Sequence, residues 1–303
     1  MADEIIYETN SILFANCDPV SRVGFGRCVM YTEESFIDET NIVEELNKAL
    51  AYHNINVNAI NYLDRYYRGD QPILYREKKV RPEINNKIVE NHALEIVDSK
   101  VADLFGEPIQ YVLSDNEDVA KADAIELLNK YMKSEDKAAL DIERARWASI
   151  AGTSYFYIGD ENRMPVIFDE APYCIQCESP IKTFIVYYAD DKTPAFSCQI
   201  RRDANGNLYN IYTPQMFYLI QNGEIIMSEV NGNDMIPVIE YPNNERRLSD
   251  IEITIGITDA INTMQSDRVN AVAQFVQAFI LFKNCKIDKT VRRKSYRFCN
   301  SAN

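Results

Sequence analysis

Apolar residues in the first half of the chain recur at helical spacing. Segment 32–68 carries such a stripe, beginning at Ile42 and Leu46, and is predicted to be a helix that Gly69 ends. Acidic residues collect near its start, where the helix dipole favours negative charge. These acids are Glu33, Glu34, Asp38 and Glu39.

Three more helices are predicted before the middle of the chain. The clearest spans Asn86–Phe105, with Gly106 at the position of a helix-ending glycine and Pro108 preventing continuation. Two Ala- and Leu-rich segments, Asp118–Lys133 and Asp136–Ile150, have the same periodicity.

From Gly152 onward, short aromatic and β-branched runs replace the helical pattern. The predicted strands are Tyr155–Ile158, Val166–Phe168, Phe184–Tyr188, Phe196–Arg201, Leu208–Tyr212, Phe217–Ile220 and Ile225–Met227. Asn-Gly pairs, the strongest short hairpin signal, occur at residues 205–206, 222–223 and 231–232. A block of helices followed by an antiparallel meander of six or seven strands predicts the α+β class.

The pattern becomes helical again after Ser249. Ser249 and Glu252 have the spacing of a capping box, and the helix they open is predicted to reach about Ala278. Its apolar stripe consists of Ile257, Ile261, Met264, Val272, Phe275 and Phe279, and Arg268 interrupts it. A helix of this length, roughly 45 Å, needs a long partner from its own chain or from a neighbour.

Charge and apolar content narrow the function classes. The net charge of −14 in 303 residues argues against a protein that grips DNA through a broad cationic surface, although DNA passing through a lumen stays compatible with it. The longest apolar run, residues 271–282, is shorter than the roughly 18–20 residues of a membrane helix. We therefore expect no membrane span.

The sequence offers little catalytic chemistry. Cys174 and Cys177 form the only cysteine pair at metal-binding spacing, and without a second pair two strand cysteines are favoured over a zinc site. The two histidines, His53 and His92, lack the surroundings of a catalytic triad. We predict no catalytic, cofactor-binding or metal-binding residue.

Two blocks of sequence, about 130 residues apart, resemble portal proteins of tailed bacteriophages, of the type found in phages and prophages of Gram-positive bacteria. The first block contains Tyr67-Arg68-Gly69-Asp70, Asn85–Val89, Ile96–Asp98 and Leu104–Ile109. The second contains Ile236–Asn244, Ser249–Glu252, Asp259–Asn262 and Ser266-Asp267. The resemblance covers roughly residues 40–282.

The resemblance implies a domain order. Residues 1–31 would be an N-terminal arm, and residues 32–245 a wing domain with helices over 32–151 and a β-meander over 152–240. Residues 249–282 would be the first stem helix and the start of the clip. The tail 283–303 carries seven basic residues and one acid, a net +6. It is expected to be disordered or out of frame, in a chain truncated at its C-terminus.

The function implied by the resemblance is structural. Complete portals form a ring, expected to be a dodecamer, through which double-stranded DNA enters and leaves the capsid. The ring binds terminase, the capsid and head–tail connector proteins, and lies at the portal vertex of the virion after assembly in the host cytoplasm. Neither a cofactor nor enzymatic activity is implied, because ATP chemistry belongs to terminase.

Two surfaces are candidates for contact between subunits. One is the turn with Tyr67, Arg68 and Asp70; the other is the stem stripe with Ile257, Ile261, Met264 and Phe275. The basic and aromatic residues around the turn also resemble single-strand nucleic-acid binders, and a solvated loop that makes a subunit contact is favoured over that interpretation. The alternatives are an interaction protein of a prophage that forms no ring, and a nucleic-acid-modifying enzyme.

Overall fold

Helices and strands alternate little along this chain, so the α+β class is confirmed. The computed structural model describes residues 25–79, 81–113, 119–159, 171–204, 206–232, 234–276 and residue 283. Its helices are α1 (Ile42–Tyr67), α2 (His92–Phe105), α3 (Val119–Ser134), α4 (Lys137–Ala151) and α5 (Ile255–Val276), with a 3₁₀ turn at Pro72–Tyr75. Its strands are β1 (Met30–Thr32), β2 (Thr153–Gly159), β3 (Cys174–Glu178), β4 (Thr183–Tyr188), β5 (Pro194–Asp203), β6 (Gly206–Tyr212), β7 (Met216–Gln221), β8 (Glu224–Val230) and β9 (Val238–Pro242).

Helix α1 begins ten residues later than predicted. The preceding acids belong to a turn in which Asp38 Oδ1 accepts the Thr40 N–H at 2.8 Å and the Asp38 carbonyl accepts the Ile42 N–H at 3.0 Å. Acidic side chains that bond nearby backbone groups in this way favour turns over helix interiors. The acids in the first helical turn are Glu44 and Glu45.

The predicted helix Asn86–Phe105 is also shorter at its start. Asn91 caps α2 by accepting the Leu94 N–H at 3.4 Å, and residues 86–90 before it are not helical. The helix ends at Phe105, as predicted, although Gly106 has a right-handed φ of −65°. Helices α3 and α4 lie within one residue of their predicted bounds at each end.

The strands form two sheets, which corrects the single meander predicted over residues 152–240. Strands β4 to β8 make an antiparallel meander, and β1 joins its edge parallel to β4. Strand β2 pairs instead with β3 and β9 in a separate three-stranded sheet, and β3 contains Cys174 and Cys177. The predicted strand Val166–Phe168 lies outside the described residues.

Two of the three Asn-Gly signals mark hairpins. Asn222 and Gly223, with φ of 54° and 82°, join β7 to β8 in the doubly left-handed conformation that Asn-Gly favours. Asp203 pairs with Gly206 across the β5–β6 turn. Asn231, by contrast, ends the meander by donating from its side chain to the Thr213 carbonyl at 2.8 Å, and the chain then leaves for the other sheet.

The two larger of three apolar clusters organise most of these elements. The first lies between α1 and the six-stranded sheet, where Leu46, Phe184 and Phe196 are buried. The second joins the end of α1 to α2, α4 and the start of α5, with Val97 and Ile251 at its centre. The second core therefore fixes the start of α5 against α1, α2 and α4.

Candidate functional site

The turn after α1 holds a compact exposed cluster around Asp70. The Arg65 guanidinium lies 2.6 Å from Asp70 Oδ2, and the Tyr75 hydroxyl donates to Oδ1 at 2.5 Å. These hydrogen bonds, that of Tyr75 first, lower the pKa of Asp70 below its ordinary value. The predicted interface residue Asp70 is therefore a charged anchor that fixes the shape of the turn.

Tyr67 and Arg68, the other predicted residues of this turn, also bind within the chain. The Tyr67 hydroxyl donates to Asp98 Oδ1 of α2 at 3.0 Å. Arg68 is exposed and pairs with Asp64 one helical turn earlier at 2.7 Å. Both side chains line a surface groove together with α4 residues such as Arg146.

The contact between the turn and α5 is made by residues that were not among the predicted interface residues. The buried Tyr66 hydroxyl donates to Asp259 Oδ1 at 2.8 Å, and Gln71 accepts a hydrogen bond from the Asn262 amide. Burial raises the pKa of Tyr66 and also that of Asp259, whose hydrogen bond with Tyr66 opposes the rise. The two blocks that carry the family resemblance thus meet in space.

One face of α5 is polar and buried. It packs on segment 86–90, which we call the strap, and its side-chain oxygens accept hydrogen bonds from the backbone N–H groups of alternate strap residues. The distances are 2.8 Å from the Glu90 nitrogen to Asn262 Oδ1, 2.9 Å from Ile88 to Ser266 Oγ and 2.7 Å from Asn86 to Asn270 Oδ1. We call this set the polar ladder. It explains why the strap is not helical, since its amides are taken by α5.

The geometry of the polar ladder follows from the two backbone repeats. Helix residues four apart rise about 6.0 Å along the axis. Residues two apart in an extended chain advance about 6.6 Å. Asn262, Ser266 and Asn270 therefore stay in step with alternate residues of the strap, and all three are at most 2% exposed.

The opposite face of α5 is apolar and exposed. Ile257, Met264 and Phe275 are 66%, 71% and 82% exposed, and Ile261 is partly buried. Helices of globular proteins usually bury their apolar side and leave the polar side in water. In α5 the polar side is buried and the apolar side is exposed, so the predicted stem stripe is available to a partner.

The segment that leads into α5 is fixed by buried polar contacts. Asp250 accepts hydrogen bonds from Lys100 and Ser149, both at 2.6 Å, and Arg27 forms a buried ion pair with Glu252. The predicted capping box is half formed, because Glu252 accepts the Ser249 N–H at 2.9 Å. It stabilises a turn, and α5 itself starts six residues after Ser249.

A second buried ion pair lies beside this segment. Glu240 accepts both hydrogen bonds of a bidentate contact from Arg247, at 2.6 and 2.7 Å, and further ones from Tyr187 and Thr153. Burial alone would raise the pKa of Glu240, but the hydrogen bonds and charge of Arg247 hold it below its ordinary value. The start of α5 is thus joined rigidly to both the helices and the three-stranded sheet.

No cluster of three or more metal-ligating side chains occurs within the part of the chain that the structure describes. Cys177 of the candidate pair has its thiol pKa raised to about 12, chiefly by burial, which disfavours the thiolate that binds metals. His92 is paired with Glu90 and Glu95 on the surface of α2.

A sequence signal for the polar ladder existed but was not used. Residues Thr258, Asn262, Ser266, Asn270 and Gln274 repeat every four positions along α5 and all carry hydrogen-bonding side chains. The apolar stripe by itself indicates only the exposed face of α5.

A rigid body that holds one long helix by its polar side, with the apolar side outward, fits an assembly subunit of the phage portal class. The chain belongs to the family described as phage portal protein, SPP1 Gp6-like, which matches residues 47–301. The matched range includes both sequence blocks and most of the basic tail. No protein with a curated description matches the chain. Among the described residues, none of the helices has the length and apolar content to cross a membrane.

Proposed function

We propose that this portal subunit assembles into a closed ring, expected to be a dodecamer, through which double-stranded DNA enters and leaves the capsid. The ring would lie at the portal vertex, assembled in the host cytoplasm, and would bind terminase, the capsid and head–tail connector proteins. The portal family is structural rather than catalytic. We infer accordingly that the subunit itself catalyses no reaction.

The observation that carries the ring proposal is the exposed apolar face of α5. A closed ring of identical subunits uses two different surfaces on each subunit. Ile257, Met264 and Phe275, with Ile261 beside them, supply one apolar surface on a helix that the polar ladder holds in place. An apolar surface of this kind on a soluble subunit marks a site of protein contact.

The turn with Tyr67, Arg68 and Asp70 is the second proposed contact. Its charged groups are already paired within the chain, which gives the turn a fixed shape before assembly. A pre-formed surface loses less conformational entropy on binding than a mobile one. This supports a subunit contact over a nucleic-acid site, since Arg65 and Arg68 are engaged by carboxylates.

The ring contact can be tested with Met264→Asp in the full chain. Met264 is 71% exposed, so the subunit with aspartate at this position should fold normally while self-association is lost. Val230→Asp is the matched control, because Val230 is 78% exposed on β8 in the six-stranded sheet. Sedimentation velocity and electron microscopy report assembly, and circular dichroism reports folding.

Rings formed by Met264→Asp as readily as by the wild type would overturn the assignment of α5. A wild-type chain that stays monomeric at every concentration would favour the alternative, an interaction protein that forms no ring.

A further inference from the structure

The exposed face of α5 contains one charge at its centre. At about 100° of rotation per residue, Arg268 lies about 40° from Met264 on one side and about 40° from Val272 on the other. Ile257 and Phe275 lie between these limits as well. Within the described part of α5, Arg268 is the only charged residue in this stripe.

Arg268 has no partner among the residues that the structure describes, and it is exposed. Its neighbour Asp267 shows the contrast. Asp267 points around the helix to Arg76 at 3.0 Å and Lys78 at 3.3 Å, which lower its pKa. The carboxylate next to Arg268 in the sequence is therefore already held by two cations and is turned away from the apolar stripe.

Covering the stripe would bury the Arg268 guanidinium with it. A buried charge without an opposite charge is strongly unfavourable, whereas a planar guanidinium and a carboxylate can form two hydrogen bonds at once. Any partner that covers Met264 and Val272 must for this reason bring an acidic group to Arg268. The contact surface of the partner is therefore apolar with a carboxylate at its centre.

A second copy of this chain has the required charge. Each copy carries a net charge of −14, so copies repel one another unless the contact surface pairs opposite charges. DNA also offers anionic groups, but a side chain facing phosphates in water would not be ringed by Ile257, Met264, Val272 and Phe275. The apolar surroundings favour the neighbouring subunit over the nucleic acid.

We propose that Arg268 forms an ion pair with a carboxylate of the neighbouring copy, at the centre of the apolar contact made by α5. This inference rests on the proposed ring. The pair fixes the register of the contact, because sliding the partner by one helical turn would place the carboxylate against Met264 or Val272. Apolar packing alone would tolerate such a shift more easily.

The test compares Arg268→Glu, Arg268→Met and Arg202→Glu in the full chain. Arg202 is an exposed arginine at the end of β5, far along the chain from α5, so its replacement makes the same charge change elsewhere. Self-association is measured by sedimentation velocity over a range of salt concentrations. Binding of a short labelled DNA duplex is measured in parallel by fluorescence anisotropy.

Arg268→Glu should abolish assembly and Arg202→Glu should leave it intact. Arg268→Met should weaken assembly about thirty-fold or more, since losing one member of a buried interface pair leaves the other unpaired. Its remaining association should depend less on salt.

Normal assembly of Arg268→Glu overturns the inference, and normal assembly with lost DNA affinity assigns Arg268 to the channel instead. Absence of assembly by the wild type contradicts the proposed ring itself, so the two failures are distinguishable. Unchanged thermal unfolding of Arg268→Glu excludes misfolding as the cause of lost assembly.

Discussion

The polar ladder predicts a large loss of stability from a single change that adds apolar surface. Asn262 is fully buried, accepts the Glu90 N–H at 2.8 Å and donates to Gln71, which is also fully buried. Asn262→Leu keeps a side chain of similar size and removes both hydrogen bonds. Leucine usually suits a buried position better than asparagine does, but here the substitution should destabilise the protein.

The magnitude follows from the groups left without partners. The Glu90 N–H loses a partner at a half-buried position and the Gln71 side-chain oxygen loses one in the interior, and a buried polar group without a partner costs about 1–3 kcal/mol. We expect a decrease of about 2–6 kcal/mol in the free energy of unfolding, less any gain from burying the leucine. Met264→Leu, on the exposed side of the same helix, is the control and should change stability by less than about 0.5 kcal/mol.

Urea unfolding followed by circular dichroism measures the loss. Hydrogen exchange by mass spectrometry locates it, because peptides covering the strap should exchange faster in Asn262→Leu than in the wild type. Equal stability together with unchanged exchange of the strap would show that the polar ladder does not hold α5, and the argument for the direction of its apolar face would fail.

Two further changes test other parts of the framework. Burial lowers the pKa of His53 to about 4 from 6.5, so the folded state resists protonation and stability is lost as the pH falls from 6.5 toward 4. Between pH 7.5 and pH 4.5, the free energy of unfolding of His53→Gln should fall by about 2–3 kcal/mol less than that of the wild type, as measured by urea unfolding. Identical pH profiles of the two proteins would contradict this. Gly152→Ala should lower stability by about 2–4 kcal/mol in thermal unfolding, since φ is +85° and the new Cβ would lie 2.0 Å from the Arg247 carbonyl oxygen. Gly223→Ala, at φ +82° with open space around it, should cost about 1 kcal/mol, and equal losses at both sites would refute the steric argument.

The periodicity of apolar residues predicted which helices exist but not where two of them begin. Helices α3 and α4 were predicted to within a residue, and Ala145 and Ile150 of α4 pack in the second core. Helices α1 and α2 start later than predicted, because Asp38 and the strap use their hydrogen-bonding groups in other ways. A strap held by side chains 172 to 184 positions away has no local signal.

The sheets show a similar division. Asn222-Gly223 predicted a hairpin from local chemistry alone, and the structure contains it. The separation of β2, β3 and β9 from the meander depends on long-range pairing, such as that of Phe156 with Ile239. The proposed interface residues stay predictions, because contact between subunits lies outside what one chain displays. The boundaries of the wing and stem domains also stay predictions.

The exchange of polar and apolar faces in α5 has a physical consequence for assembly. A helix seated by apolar packing can settle in several rotations about its axis, since dispersion contacts have little directional preference. The polar ladder allows one rotation. Turning α5 by one residue, about 100°, would remove Asn262, Ser266 and Asn270 from the strap and leave three half-buried backbone N–H groups unpaired, where a fully buried group would cost about 1–3 kcal/mol. The packing of α5 on its own chain therefore fixes the direction in which Met264, Arg268 and Phe275 point. Every copy must then present the same face at the same angle. A closed ring requires that uniformity of each of its subunits.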